Sequence, residues 1–259
     1  MRRRDFLEAA GCAALIVTAA GPRAAAGQGR TPVATGRLRR AVASEVTSLD
    51  PQRPTGSLTT EMAAELFTGL TAWDASGRLG AGCAESWKAS ADGLVWTFRL
   101  RPGLAWSDGT PLTSRDFLFT LRRYLAPETG AAQASRLDAI VGARDLRFGR
   151  GDPAKLGITT PDPRTLAIRL EHPDVELPVM LGAAYCVPGH VIAAKGREWA
   201  KPGNLVTNGP YVVQEWAAGA KVIVLRRNPR FHEAAAVRIE RVDWLTGYDD
   251  ATRLRLFRL

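Results

Sequence analysis

The 259-residue chain predicts a mixed α/β fold of the α+β kind, and three features of its pattern carry that expectation. Residues 94–100 and 165–170 alternate apolar with other side chains, the mark of half-buried strands. Residues 114–125 place Phe117, Leu118, Leu121, Tyr124 and Leu125 at helical spacing, with Arg115, Arg122 and Arg123 on the other side. Strands and helices then follow one another without the strict βαβ alternation of a parallel sheet.

In chain order, residues 38–42 read as a first strand, which Asp50-Pro51 keeps from running on. Thr59 or Thr60 caps a helix that lines Met62, Ala63, Leu66, Phe67 and Leu70 along one face and stops near Gly69. Residues 71–74 and 84–87 flank glycine-rich turns. Asp92-Gly93 turns the second of these into the strand 94–100, whose Leu94, Trp96, Phe98 and Leu100 share a face. Next comes Trp106-Ser107-Asp108-Gly109-Thr110-Pro111. Asp-Gly makes a tight turn, Pro111 removes a backbone donor, and Thr113 with Asp116 forms a capping box that starts the 114–125 helix. Residues 127–136 read as loop or broken helix, and 137–157, charged and glycine-containing, as surface. Asp162-Pro163 turns into the strand 165–170, and residues 176–181 suit a short helix. Residues 195–210 look irregular, residues 211–216 and 221–225 form a hairpin about Ala218-Gly219, 239–245 is a strand, and the chain is helical from Asp249.

Composition excludes several classes. Apolar content of 46% and charged content of 24% are those of a globular protein rather than a disordered one. The net charge is +9, and +7 without residues 1–26, which hold four Arg, one Asp and one Glu. The remaining Arg are scattered rather than gathered into a stripe with aromatics, so no nucleic-acid partner is expected. The three Cys (12, 83, 186) form no C-x-x-C pair and the three His (172, 190, 232) stand apart, so no metal or other cofactor is expected. Cys83 and Cys186 read as small buried residues, with their pairing left open. Seven Trp suit an aromatic-lined cleft as well as a core.

Residues 1–26 have the layout of a secretory signal: basic Arg2-Arg3-Arg4, an apolar run from Ala9 to Ala20, and small residues ending at Ala26. Arg3-Arg4-x-Phe6-Leu7 resembles the twin-arginine export motif, although a plain secretory signal also begins with Arg. Cleavage near Ala26, a leader over 27–37 and a periplasmic mature protein are expected.

Catalytic motifs are missing from the sequence: it has no G-x-S-x-G, P-loop, dinucleotide fingerprint or H-E-x-x-H. A Cys186/His190 nucleophile and base pair is one alternative, making the chain an exported hydrolase. Two ordinary loop residues is the plainer reading.

A family resemblance rests on many ordered segments. They include Ser48-Leu49-Asp50-Pro51, Leu66-Phe67-Thr68-Gly69-Leu70, Ala84-Glu85-Ser86-Trp87, Trp96-Thr97-Phe98-Arg99-Leu100-Arg101 and Trp106-Ser107-Asp108-Gly109-Thr110-Pro111. Asp162-Pro163-Arg164-Thr165-Leu166, Lys201-Pro202-Gly203-Asn204, Thr207-Asn208-Gly209-Pro210-Tyr211 and Arg227-Asn228-Pro229 continue the series. Together they resemble the family 5 solute-binding proteins, the periplasmic oligopeptide-, dipeptide- and nickel-binding components of ABC importers. The resemblance implies a periplasmic-binding-protein type II-like fold that closes on its ligand, and a monomer that delivers a peptide or related small solute to an inner-membrane permease. It implies no enzyme activity and no cofactor. It divides the chain into domain I (38–68 and 183–259) and an inserted domain II (69–182). It also implies that the chain is an N-terminal portion lacking the second lobe, and hence weak binding or a non-binding product. Gly56, Ser57, Gln133 and Asn208 are the candidate ligand contacts. Thr55-Gly56-Ser57 lacks the acid that oligopeptide binders carry there, and Gln133 stands where they supply a Tyr. The ligand therefore stays open among peptides, sugars, opines and metal chelates.

Overall fold

The computed structural model describes residues 36–43, 45–53, 57–74, 76–217, 219 and 221–258. The signal-like segment 1–26 and residues 27–35 of the leader lie outside the described residues.

The chain opens with strand β1 (Arg37–Ala41) and helix α1 (Ser57–Leu66), followed by β2 (Thr71–Trp73), β3 (Leu79–Ala81), β4 (Ala84–Ala89) and β5 (Val95–Leu100). Helix α2 (Ser114–Leu125) and the short α3 (Ala143–Arg147) lead into β6 (Ile158–Asp162) and β7 (Thr165–Arg169). Helices α4 (Leu177–Ala183) and α5 (Gly189–Lys195), strands β8 (Tyr211–Glu215), β9 (Val222–Arg227) and β10 (Arg241–Leu245), and helix α6 (Asp250–Arg258) complete it.

Two four-stranded sheets carry the architecture. One is antiparallel throughout, in the order β4-β5-β7-β6. Its register sets Phe98 between Trp87 and Leu166, so the apolar face foreseen for residues 94–100 is continued by both neighbours. Gly93, at φ 71°, makes the turn between β4 and β5 that Asp92-Gly93 announced. The other sheet runs β1-β10-β9-β8 and is mixed, because β1 pairs parallel with β10 while β8, β9 and β10 form an antiparallel meander. A two-stranded β2-β3 ribbon stands apart.

Each large sheet has its own core. Phe98, Trp106, Phe117, Leu121, Leu166 and Ile168 centre the first, all at most 1% exposed. The second gathers Leu49, Met62, Phe67, Trp199, Leu225 and Trp244. Membership passes from one to the other between Phe67 and Leu70, and back between Cys186 and Val187.

Several expectations change. Helix α1 begins at Ser57, ahead of the expected Thr59 or Thr60 cap, so that both threonines fall within its first turn, where Thr59 is buried. Residues 137–157 are not simply surface: Leu137, Ile140, Ala143, Leu146 and Leu156 are buried in the first core, spaced among charges that hide their apolar pattern. Strand β6 and helix α5 are additions to the sequence reading. The first is short and ends in the Pro161-Asp162-Pro163 stretch, and the second sits in a segment punctuated by Gly and Pro.

Candidate functional site

A seam between the two cores is held largely by side chains bonded to backbone. Asn208, 3% exposed, lies within it. Its Oδ1 accepts the Thr68 N–H at 3.0 Å and its Nδ2 donates to the Thr68 carbonyl at 3.0 Å, so one amide side chain satisfies the backbone as a neighbouring strand would. The next residue, Gly209, donates its N–H to Leu66 O at 2.9 Å. A Cβ there would meet the Leu66 carbonyl carbon at 2.5 Å, so only glycine lets the 207–210 segment lie this close to the end of α1.

Helix α2 supplies the second clasp. Thr120 accepts the Val187 N–H on its hydroxyl at 3.0 Å, and its carbonyl accepts Gln52 Nε2 at 3.2 Å. One residue beyond a half turn, Arg123 grips Asp50 with both Nη atoms, at 2.5 and 3.2 Å, and Gln52 Oε1 at 2.6 Å. The Asp50 side chain is 4% exposed, so this forked pair fixes the Leu49-Asp50-Pro51 loop against α2 in a largely dry site.

The Trp106 turn forms the third. Fully buried Trp106 donates its indole N–H to Asp116 Oδ1 at 3.2 Å, while Asp116 Oδ2 accepts the Thr113 N–H at 2.8 Å and hydroxyl at 3.0 Å. One carboxylate thus ties the turn to the start of α2. The turn then reaches the second core: Ser107 N–H donates to Thr207 O at 2.8 Å, and Asp108 Oδ2 meets His190 Nε2 at 2.8 Å. Partial burial would raise the Asp108 carboxyl, but the Thr110 N–H and His190 outweigh it and hold it below its ordinary value.

These contacts weigh against the Cys186/His190 pair of the hydrolase alternative. Cys186 is fully buried beside Thr120, at 3.5 Å, and burial pushes its thiol well above the ordinary range. His190 is bonded to Asp108 instead. A thiol sealed in the core and raised by burial is poorly suited to act as a nucleophile. Cys83 is likewise buried and free, its thiol pushed up to about 12 by burial.

The candidate ligand contacts fall in different settings. Gly56 lies outside the described residues, and so does the side chain of Ser57, whose backbone begins α1. Gln133 is exposed, ahead of a 3-10 turn over Ala134–Leu137, and accepts Arg136 Nη1 at 3.3 Å. It borders a shallow hollow with Tyr124 and Met180. Asn208 lines no part of that hollow, and its amide is engaged by Thr68. The structure therefore does not bring Gln133 and Asn208 together. It shows instead a cleft of about 730 Å³ on a different side of α2, which sequence reasoning missed because its walls come from four distant segments.

Comparison with known proteins gives a consistent answer. Residues 78–259 match the model of the bacterial extracellular solute-binding proteins, family 5 Middle. The chain is 35% identical over 216 residues to the probable deoxycholate-binding periplasmic protein YgiS of Escherichia coli strain K12, covering 80% of this chain and 40% of that protein. It is 35% identical over 219 residues to the periplasmic oligopeptide-binding protein OppA of the same strain, covering 83% and 40%. The crystal structure of Haemophilus influenzae OppA in complex with the peptide RPPGFSPFR superposes with a TM-score of 0.81 at 28% identity, over 87% of this chain and 44% of that one. The chain thus spans about 40% of the length of the curated relatives it matches. With a family model matched across most of its length and two sheets arranged as in a solved relative, the chain belongs to the bacterial extracellular solute-binding proteins of family 5.

Proposed function

We propose that this chain serves the substrate-binding component of an ABC importer, taking up a peptide or a related small solute in the periplasm and presenting it to an inner-membrane permease. The observation that carries the reading is the family match over residues 78–259, joined by likeness to a structure described as a peptide complex. Export by the 1–26 segment, cleavage near Ala26 and action as a monomer without a cofactor belong to the same proposal. So does the division into domain I (38–68 and 183–259) and domain II (69–182), which the two cores follow except that Ala184 and Cys186 pack with the first. In this reading the protein binds its solute without transforming it. The backbone about Gly56 and Ser57 pairs with an extended peptide as an added strand, and Gln133 contributes from beyond α2. Asn208 acts beneath this surface by holding Thr68 in place.

The test is an amide NMR titration of the purified chain with a defined mixture of di- and tripeptides, with deoxycholate as a separate arm. Peptide-dependent shifts clustered at residues 56–60 and 133 are expected. An absence of shifts there at millimolar peptide, or deoxycholate alone causing them, would overturn the peptide reading.

A further inference from the structure

We propose that the cleft beside α2 is a second small-molecule site, one that takes an organic anion with an apolar body. Its volume of about 730 Å³ lies within the range typical of ligand pockets. Phe119, Ala126, Pro153 and Ile192 give it apolar wall. Five cationic side chains also line it, against three acidic ones.

Most of those charges are already matched. Arg123 holds Asp50 at 2.5 Å, and Arg53 lies 3.7 Å from the same carboxylate and donates to the Glu128 carbonyl at 3.0 Å. Lys201 pairs with Glu198 at 2.9 Å. Arg122 and Arg197 are left, and among the described residues neither has a carboxylate within ion-pair reach. Arg122 is half-buried in the wall, and its Nε is shielded from solvent with no hydrogen-bond partner. Arg122 thus lines the cleft with a guanidinium that has no acidic partner among the described residues, and an anion in the cleft would supply one. Arg197 is exposed at the mouth. The arrangement suits a carboxylate, phosphate or sulfonate held between the two guanidiniums, with its apolar portion against Phe119 and Ile192.

This inference does not rest on the peptide reading. Tyr124 faces the hollow beside Gln133, whereas Phe119, Arg122 and Ala126 face the cleft, so the two regions use different sides of α2. The experiment is calorimetric titration of the purified chain with 4-phenylbutyrate and with its uncharged counterpart 4-phenylbutan-1-ol. The acid is expected to bind about tenfold tighter than the alcohol, and Arg122→Met and Arg197→Met each to weaken the acid about fivefold or more while leaving the alcohol unchanged. Because Arg197 is exposed, Arg197→Met keeps the test decisive if Arg122→Met fails to fold, as judged by circular dichroism. Equal affinity for acid and alcohol, or acid affinity unchanged in the folded variants, would overturn the site. Saturating 4-phenylbutyrate should leave peptide titrations unaltered, and displacement of peptide by the acid would overturn its being a second site. Failure of peptide binding alone would leave the acid titration intact, so the two readings fail separately.

Discussion

The core around Trp106 draws on one uninterrupted run of chain, from Leu70 to Cys186, whereas the core around Trp244 is assembled from two runs, Leu49 to Phe67 and Val187 to Trp244. The first is covered by an antiparallel sheet of two local hairpins, β4-β5 and β6-β7, joined through the β5-β7 pairing, whose partners lie 66 to 74 positions apart. The second closes a parallel pair between β1 and β10 across most of the described chain. Burial is equally complete in both: Trp106 and Trp244 are each 0% exposed. What differs is the chain entropy that must be lost before the contacts form, which rises with the loop closed. The same depth of packing therefore rests on a loop of about 70 residues in one half and of about 200 in the other, with the seam joining them.

The sharpest way to probe that difference is to cut a cavity in each core. Trp244→Ala and Trp106→Ala are each expected to cost about 3–5 kcal/mol. Hydrogen exchange then reads whether protection is lost in one sheet or both. Loss confined to the mutated side would make the halves separate cooperative units, and loss in both would show that the seam transmits the damage. Next in size is Arg123→Met, which strips the nearly buried Asp50 carboxylate of its forked partner. A destabilisation of about 3 kcal/mol is expected in urea unfolding, and a loss below about 1 kcal/mol would show that Gln52 or water replaces the guanidinium. Asn208→Ala leaves the Thr68 N–H and carbonyl to find other partners, and about 1–3 kcal/mol should be lost. Its exchange signature should appear at Thr68 before it appears in either sheet.

The smallest expected effect is local and depends on pH. Asp243 on β10 is bonded by Arg241 at 2.6 Å and by Arg37 of β1. Burial raises its carboxyl, but the two guanidiniums outweigh burial and hold it below the ordinary aspartate value. A depressed carboxyl contributes stability that is full above the unfolded-state value near 4 and is lost as pH falls through the lower folded value. Amide protection of β1 should therefore fall below about pH 4 while that of β5 and β7 persists. Asp243→Asn should flatten the acid dependence at β1, and an unchanged acid profile in that variant would remove the Arg37 link as its cause.

What could be read in advance follows the same divide. Alternation at residues 94–100 and 165–170, the Asp92-Gly93 turn and the Thr113/Asp116 box are local signals, and β5, β7 and the start of α2 stand where they point. Buried Ile140 and Leu146 went unseen because Arg144, Asp145 and Arg147 break up their apolar spacing. The parallel β1-β10 pairing has no local mark, since its partners are brought together only by the fold. At the candidate site, resemblance named Gln133 and Asn208 among four contacts, with Gly56 and Ser57. Only coordinates reveal that Gln133 is exposed and Asn208 bonded to Thr68. Arg122 looked like the polar side of an amphipathic helix. That it lines a cleft together with residues some seventy positions away along the chain, around α5, has no local mark.

The span between β1 and β10 also sets a clock. Arg37 and Asp243 are 206 positions apart, so at roughly 5–20 residues per second a ribosome emits the first strand roughly 10–40 s before its partner exists. The Trp106 core can be complete by then. An apolar strand left waiting that long would be a hazard for intermolecular pairing. Strand β1 reads Arg-Leu-Arg-Arg-Ala, and its three guanidiniums keep the early segment solvated and self-repelling until β10 arrives. The arginines that anchor the finished edge thus also protect the nascent chain.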